Sequence, residues 1–240
     1  SFNAPQGQCP SCNGLGEKHE FDPARLVPDH SKSIDGGAIA CLTDKGRIPF
    51  LRVGMREILA LAKKRKFRTD VYGFMGGKDL DDVVAGVEHL KAQGLVDGAR
   101  VGIYGGSYGG FLTLMALFTK PDRFAAGCAL RSVTDWRTYN AWYSNSRLGD
   151  PKKDAENYKR SSPIDHAAGL TKPLLLLHGL KDGNVFAQDT IRLVETLIEL
   201  RKDSFELMLY PSQDHGFTDK DSWLDEYRRI ERFFDRHLGD

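Results

Sequence analysis

A predicted strand, a tight turn and a predicted helix meet at Gly105-Gly106-Ser107-Tyr108-Gly109, and no other stretch of the chain restricts its fold as much. The short apolar run Val101, Gly102, Ile103, Tyr104 precedes it and the helix-compatible run Phe111 to Leu117 follows. A Gly-x-Ser-x-Gly pattern in that context is the form of a nucleophile elbow. The serine sits strained at the tip of the turn, so small residues are expected two positions before and after it, where a Cβ would strike the neighbouring strand or helix. An ordinary strand-to-helix turn is the plainer reading, and the flanking elements favour the elbow.

The rest of the C-terminal part alternates in the same way. Leu80, Val83, Val84, Val87 and Leu90 recur at helical spacing behind Asp79, Asp81 and Asp82, whose charges suit a helix N-terminus, and Gly94 closes the segment. Ala125 to Leu130 reads as a buried strand. Lys172-Pro173 introduces Leu174 to Leu177, a continuous apolar run that fits a parallel strand covered on both faces. A helix with Ile191, Val194, Leu197 and Ile198 follows, then a strand from Phe205 to Tyr210, then a helix with Trp223, Tyr227, Ile230, Phe234 and Leu238 on one stripe. Strands alternating with helices predict an α/β fold, a mostly parallel sheet with helices on both faces, over residues 70–240.

Residues 1–69 have a different texture. Up to Asp44 they are rich in Gly, Pro, Asn, Asp and Ser, which predicts an irregular segment, and Met55, Ile58, Leu59 and Ala62 mark one helix. Lys63 to Lys66 end that helix as cations favoured by its dipole, a solvated end rather than a nucleic-acid patch. Cys9-Pro10-Ser11-Cys12 has the form of half a zinc knuckle, but a closed site wants four ligands. His19, His30 and Cys41 stand at no matching spacing, so free thiols compete with a metal at Cys9 and Cys12.

The 34 Lys and Arg balance 33 Asp and Glu, so no global field draws the chain to nucleic acid or an anionic membrane. No stretch reaches the roughly 18 apolar residues of a membrane span. Four scattered cysteines give no disulfide framework, and with no leader-like N-terminus the expectation is a cytoplasmic protein.

A serine hydroxyl needs a base to take its proton, and the base needs an anion to orient it. Where a parallel sheet carries such a triad, the partners follow in the order Ser, Asp, His, on loops after successive strands. His178-Gly179-Leu180-Lys181-Asp182-Gly183-Asn184-Val185 follows the leucine strand, and Tyr210-Pro211-Ser212-Gln213-Asp214-His215-Gly216-Phe217 follows the next. The expected set is therefore Ser107 as nucleophile, Asp182 as orienting carboxylate and His215 as base. Asp189 and Asp214 are rivals of Asp182, one inside the following helix and one adjoining the histidine. His178, ending a strand, is expected to hydrogen-bond locally, and His89, His166 and His237 to be structural. Trp136, Tyr139, Trp142 and Tyr143 either pack or wall a substrate pocket.

Gly105 to Gly110, Thr134-Asp135-Trp136, Arg147-Leu148-Gly149, Ser161-Ser162-Pro163, His178 to Val185 and Tyr210 to Phe217 together resemble the catalytic domain of the prolyl oligopeptidase and dipeptidyl peptidase IV family of serine peptidases. The resemblance runs from about Tyr72 to the C-terminus and implies an α/β-hydrolase fold and a peptidase that needs no cofactor. It implies that Val133, Trp136, Tyr139, Tyr143 and Val185 line the pocket for the residue before the scissile bond. It also implies that Asn184 binds a substrate carbonyl and that the Tyr108 N–H serves the oxyanion hole. That family's domain opens with several strands and a tyrosine that is the other oxyanion donor. Tyr72 is not that tyrosine, so a partial fold with reduced activity is expected.

Ser1 to Gly16, with Phe21-Asp22-Pro23, Val27-Pro28-Asp29, Ser31 to Ser33 and Gly37-Ala38-Ile39, resembles an internal fragment of the UvrA subunit of the bacterial excision nuclease. No Gly-x-x-x-x-Gly-Lys-Ser/Thr phosphate loop accompanies it, so an ATPase role does not follow. Three readings result: a serine peptidase cleaving short peptides or small esters, an inactive fusion or truncated product that keeps the motifs, and a zinc-dependent nucleic-acid-binding module. The peptidase leads. An elbow strand lacking its upstream neighbour would leave an apolar edge open to a second copy of the chain.

Overall fold

The computed structural model describes residues 71–94 and 96–239. The chain divides into two units, Ser1–Phe67 and Arg68–Asp240. The first unit lies outside the described residues, and with it Cys9, Cys12, the Met55 helix and the UvrA-like stretch.

The second unit runs α1 (Lys78–Ala92), β1 (Gly102–Gly106), α2 (Tyr108–Thr119), β2 (Ala126–Leu130), α3 (Ala141–Leu148), α4 (Ala155–Ser161), a 3-10 helix (Pro163–Gly169), β3 (Leu174–Gly179), α5 (Ala187–Glu199), β4 (Phe205–Tyr210) and α6 (Lys220–Leu238). Four strands form one sheet in the order β1-β2-β3-β4, and every pair is parallel. The apolar runs of β2 and β3 are buried at every position because both faces are covered. Leu174 and Leu176 join Ala129 and the α2 and α5 residues Leu114, Leu117, Leu193 and Leu197 in one core. Leu175 and Leu177 join Ala126, Cys128 and Leu130 under Ile230 and Phe233 of α6. Each such leucine contributes about 1.5–3 kcal/mol by leaving water. A Cβ at Gly127 would lie 2.8 Å from the Leu117 Cδ1, so glycine is what lets α2 seat this closely on β2.

Two helical stripes differ from the periodic reading. On α5 the core face is Ala187, Thr190, Leu193 and Leu197, while Ile191 and Ile198 stand exposed. On α6 Glu226, Ile230 and Phe233 are buried and Tyr227 is 55% exposed. The cause is the same in both. Hydropathy marks a 100° sector only to within one residue, and a partner for a buried charge, here Arg131 for Glu226, moves its edge. Helices α3 and α4 and the 3-10 turn, between β2 and β3, carry too few apolar repeats to be read from periodicity. Asn140 does mark the start of α3 by accepting a hydrogen bond from the Tyr143 amide.

Candidate active site

Three loops at the carboxyl ends of β1, β3 and β4 bring the chemistry together. Ser107 stands between β1 and α2 with φ 58° and ψ −119°, a positive φ that a residue with a side chain adopts only when its surroundings impose it. The Ser107 amide donates to the Leu130 carbonyl at 2.9 Å, and the Phe111 amide donates to the Ser107 carbonyl at 2.9 Å. The turn is thereby fixed from both sides. A Cβ on Gly105 would lie 2.6 Å from the Gly109 carbonyl carbon, and one on Gly110 would strike the Ser132 hydroxyl and sit 2.7 Å from the Leu130 carbonyl oxygen. Gly109 itself faces open space, so the crowding predicted two positions after the serine falls three positions after it.

The Ser107 Oγ lies 3.0 Å from the His215 Nε2, and the His215 Nδ1 lies 2.8 Å from the Asp182 Oδ2. The second Asp182 oxygen accepts from the amides of Asn184 (2.9 Å) and Val185 (2.8 Å). Burial alone would raise the Asp182 pKa. Hydrogen bonds from His178 and His215, then from the Val185 and Asn184 amides, outweigh it and hold the carboxyl well below the usual range. The rivals stand elsewhere. The Asp214 Oδ1 accepts from the Gly183 and His215 amides, and Asp189 accepts from the Thr138 hydroxyl within α5.

Tyr108 is the first residue of α2, ahead of the intrahelical ladder, so its N–H belongs to the electropositive helix end beside Ser107. The Tyr108 hydroxyl donates to the Asp79 Oδ2 at 2.6 Å, and that oxygen also accepts from the Gly76 amide at 3.1 Å. Burial first, and then the Asp79 carboxylate, push the phenol's pKa up, so the ring stays neutral.

Val133, Trp136 and Val185 are buried in one cluster, with Tyr108, Tyr139 and Tyr143 packed against it. Trp136 stacks on Tyr143 with centroids 5.7 Å apart and planes 12° apart, and Tyr139 meets both edge-on at 5.5 Å. The Tyr139 hydroxyl lies 3.2 Å from the Asn184 Oδ1, and the Arg147 guanidinium sits 3.5 Å from the Tyr143 ring centre. Trp142, considered with these aromatics, is 79% exposed on the outer side of α3. The other histidines make local contacts: His89 pairs with Gln93, His166 bonds the Arg160 carbonyl and His237 packs on Phe233. Two contacts were missed, His178 to Asp182 and Tyr108 to Asp79. For the first a signal existed, a histidine four residues before the carboxylate at a strand end. Among the described residues no group of His, Cys, Asp and Glu is placed to hold a metal.

A parallel sheet that carries a serine, an aspartate and a histidine, in that chain order, at the carboxyl ends of its strands is an α/β-hydrolase arrangement. The model of the prolyl oligopeptidase family matches residues 62–240, and the chain belongs to that family of serine peptidases. It is 32% identical over 175 residues to the "Probable dipeptidyl-aminopeptidase B" of Tuber melanosporum, covering 72% of this chain and 19% of that one. It is 36% identical over 155 residues to the protein of the same name from Aspergillus clavatus, covering 63% and 17%. The crystal structure of Porphyromonas gingivalis dipeptidyl peptidase 4 superposes with a TM-score of 0.69 at 34% identity, covering 72% of this chain and 24% of that one. The chain thus spans about a fifth of the length of the curated relatives it matches.

Proposed function

We propose that this chain cleaves short peptides through an acyl-enzyme on Ser107. The observation that carries the reading is the unbroken run from the Ser107 Oγ through both nitrogens of His215 to Asp182, supplied by three separate loops. The Ser107 oxygen attacks the scissile carbonyl while its proton passes to the His215 Nε2. Asp182 fixes the ring with its Nδ1–H inward and stabilises the imidazolium. The oxyanion of the tetrahedral intermediate takes a hydrogen bond from the Tyr108 N–H. As the C–N bond breaks, His215 returns the proton to the leaving amine. Water then repeats the sequence on the ester and frees Ser107.

The aromatic cluster defines what enters. Tyr139 and Tyr143, packed on the buried Val133, Trp136 and Val185, form the apolar surface that this reading assigns to the residue before the scissile bond. Asn184, whose Oδ1 accepts from the Tyr139 hydroxyl, is the residue this reading assigns to a substrate carbonyl. The test is covalent labelling by a fluorophosphonate probe. Labelling of the folded protein that disappears in Ser107→Ala is expected, and folded protein that takes no label would leave a chain that keeps the motifs without the chemistry.

A further inference from the structure

Among the described residues His178 is the one buried imidazole outside the run just described, and it touches that run directly. It ends β3 with its side chain fully covered. Its Nδ1 lies 2.7 Å from the Thr190 hydroxyl on α5. Its Nε2 lies 2.9 Å from the Val185 carbonyl and 3.2 Å from the Asp182 Oδ2. A carbonyl and a carboxylate only accept, so Nε2 carries the proton and is shared between them, while Nδ1 takes the hydroxyl proton of Thr190. The oxygen that His178 reaches is the one that accepts from the His215 Nδ1.

We infer that His178 is a positioning residue that, kept in its Nε2–H tautomer by the Asp182 and Val185 acceptors and anchored by Thr190, holds the Asp182 Oδ2 and tempers its pull on His215. The inference rests on the proposed Ser107-His215-Asp182 reading. Two donors on one oxygen divide its charge. The His215 Nδ1–H thus meets an oxygen that already holds a donor. The Val185 carbonyl gives the same ring a second acceptor, so the loop that carries Asp182, from Gly179 to Val185, is tied at both ends of its turn. The other ionisable groups near this chain are few. Asp214 bonds the His215 amide, Asp189 on α5 lies close to His178, and Arg192 and Asp135 lie beyond Asp189.

A purely structural histidine would cost stability on removal and leave the titration of His215 where it was. The experiment is NMR of histidine-labelled protein, which reads the His178 tautomer from its ring nitrogens and the His215 titration from its ring carbons without needing turnover. In the wild type the His178 proton is expected on Nε2. In His178→Leu the His215 midpoint is expected to rise by about half a unit to one unit, and in His178→Gln, whose amide can still donate to Asp182, to stay near the wild-type value. Thr190→Val, a smaller change to the packing, is expected to raise it part of the way and serves if the leucine variant does not fold. A His178 proton on Nδ1, or a His215 midpoint unmoved in the leucine or valine variant, overturns the inference. Fluorophosphonate labelling of the same samples judges the peptidase reading separately: a shifted titration in a protein that takes no label sustains the positioning role and removes the activity.

Discussion

Asp182 sets the pH behaviour of single residues here, because four donors hold its carboxylate ionised despite its burial. With a folded pKa below the unfolded value of about 3.9, its contribution to stability is complete above that value and is lost as the pH falls through the folded one. Urea unfolding of Asp182→Asn should therefore show a deficit that is constant from neutral pH down to about pH 4 and begins to narrow only below it. The same variant offers His215 a side-chain amide that can present its N–H where an acceptor is needed, and labelling should slow by about 10⁴-fold. The glycines make a second, steric prediction. Gly105→Ala and Gly110→Ala overpack the elbow and should cost about 1–3 kcal/mol each, while Gly109→Ala meets nothing and should be neutral or gain up to about 1 kcal/mol of helix propensity. Denaturation midpoints decide among them. At this scale the sequence was informative where a residue type is chemically irreplaceable. Ser107, Asp182 and His215 could be named from order and loop position alone. The His178 contact left only a weak signal, its place four residues before the carboxylate, because a histidine at a strand end looks the same whether its ring turns to a carboxylate or to a carbonyl.

Between elements, the pairing of Arg131 with Glu226 fixes how α6 and the His215 loop meet the end of β2. The Arg131 Nη1 lies 3.3 Å from the Glu226 Oε1, and its guanidinium packs 5.3 Å from the Phe217 ring centre and 5.2 Å from that of Trp223. The Trp223 indole donates to the Phe217 carbonyl at 2.8 Å, two residues beyond His215. Glu226 is fully covered and its Oε2 has no partner. Burial raises its pKa, with Arg131 opposing. Arg131→Met leaves that carboxylate alone in the core and should cost about 3 kcal/mol. Because the folded pKa then rises further above the unfolded one, the deficit should be largest at neutral pH and shrink as acid protonates Glu226. Unfolding at pH 7 and pH 5 measures this. The elements themselves were legible because β2 is apolar throughout, β3 is apolar from Leu174 to Leu177 and α2 is nearly so. The α6 stripe was misjudged at Glu226 and Tyr227 because hydropathy cannot see that an arginine just past the end of β2 waits for the glutamate. The α3, α4 and 3-10 segment was not legible, since side-chain hydrogen bonds such as Asn140 to Tyr143 and Tyr158 to Asn145 stabilise it more than periodic burial does.

For the molecule as a whole, the sheet has two unequal margins. At β4 the strand is half covered, and Arg236 of α6 pairs with Glu206 on it. At β1, among the described residues, no strand pairs on the side away from β2, and Tyr104 is 59% exposed there. Where such a margin stays unpaired, with no charge on Gly102 to Gly106, it is a template for strand addition, since natural edges are usually blocked by lysine, proline or a bulge. A second copy of the chain is the partner always present at the chain's own concentration, and two β1 margins related by a two-fold axis would pair antiparallel. The expected outcome is a mass, by light scattering behind size exclusion, that rises from one chain toward two as concentration increases. Tyr104→Lys, placing a charge on the margin 59% open to water, should hold the protein at one chain while leaving probe labelling of Ser107 intact. A wild-type mass of one chain at every concentration would mean that β1 is not the pairing edge.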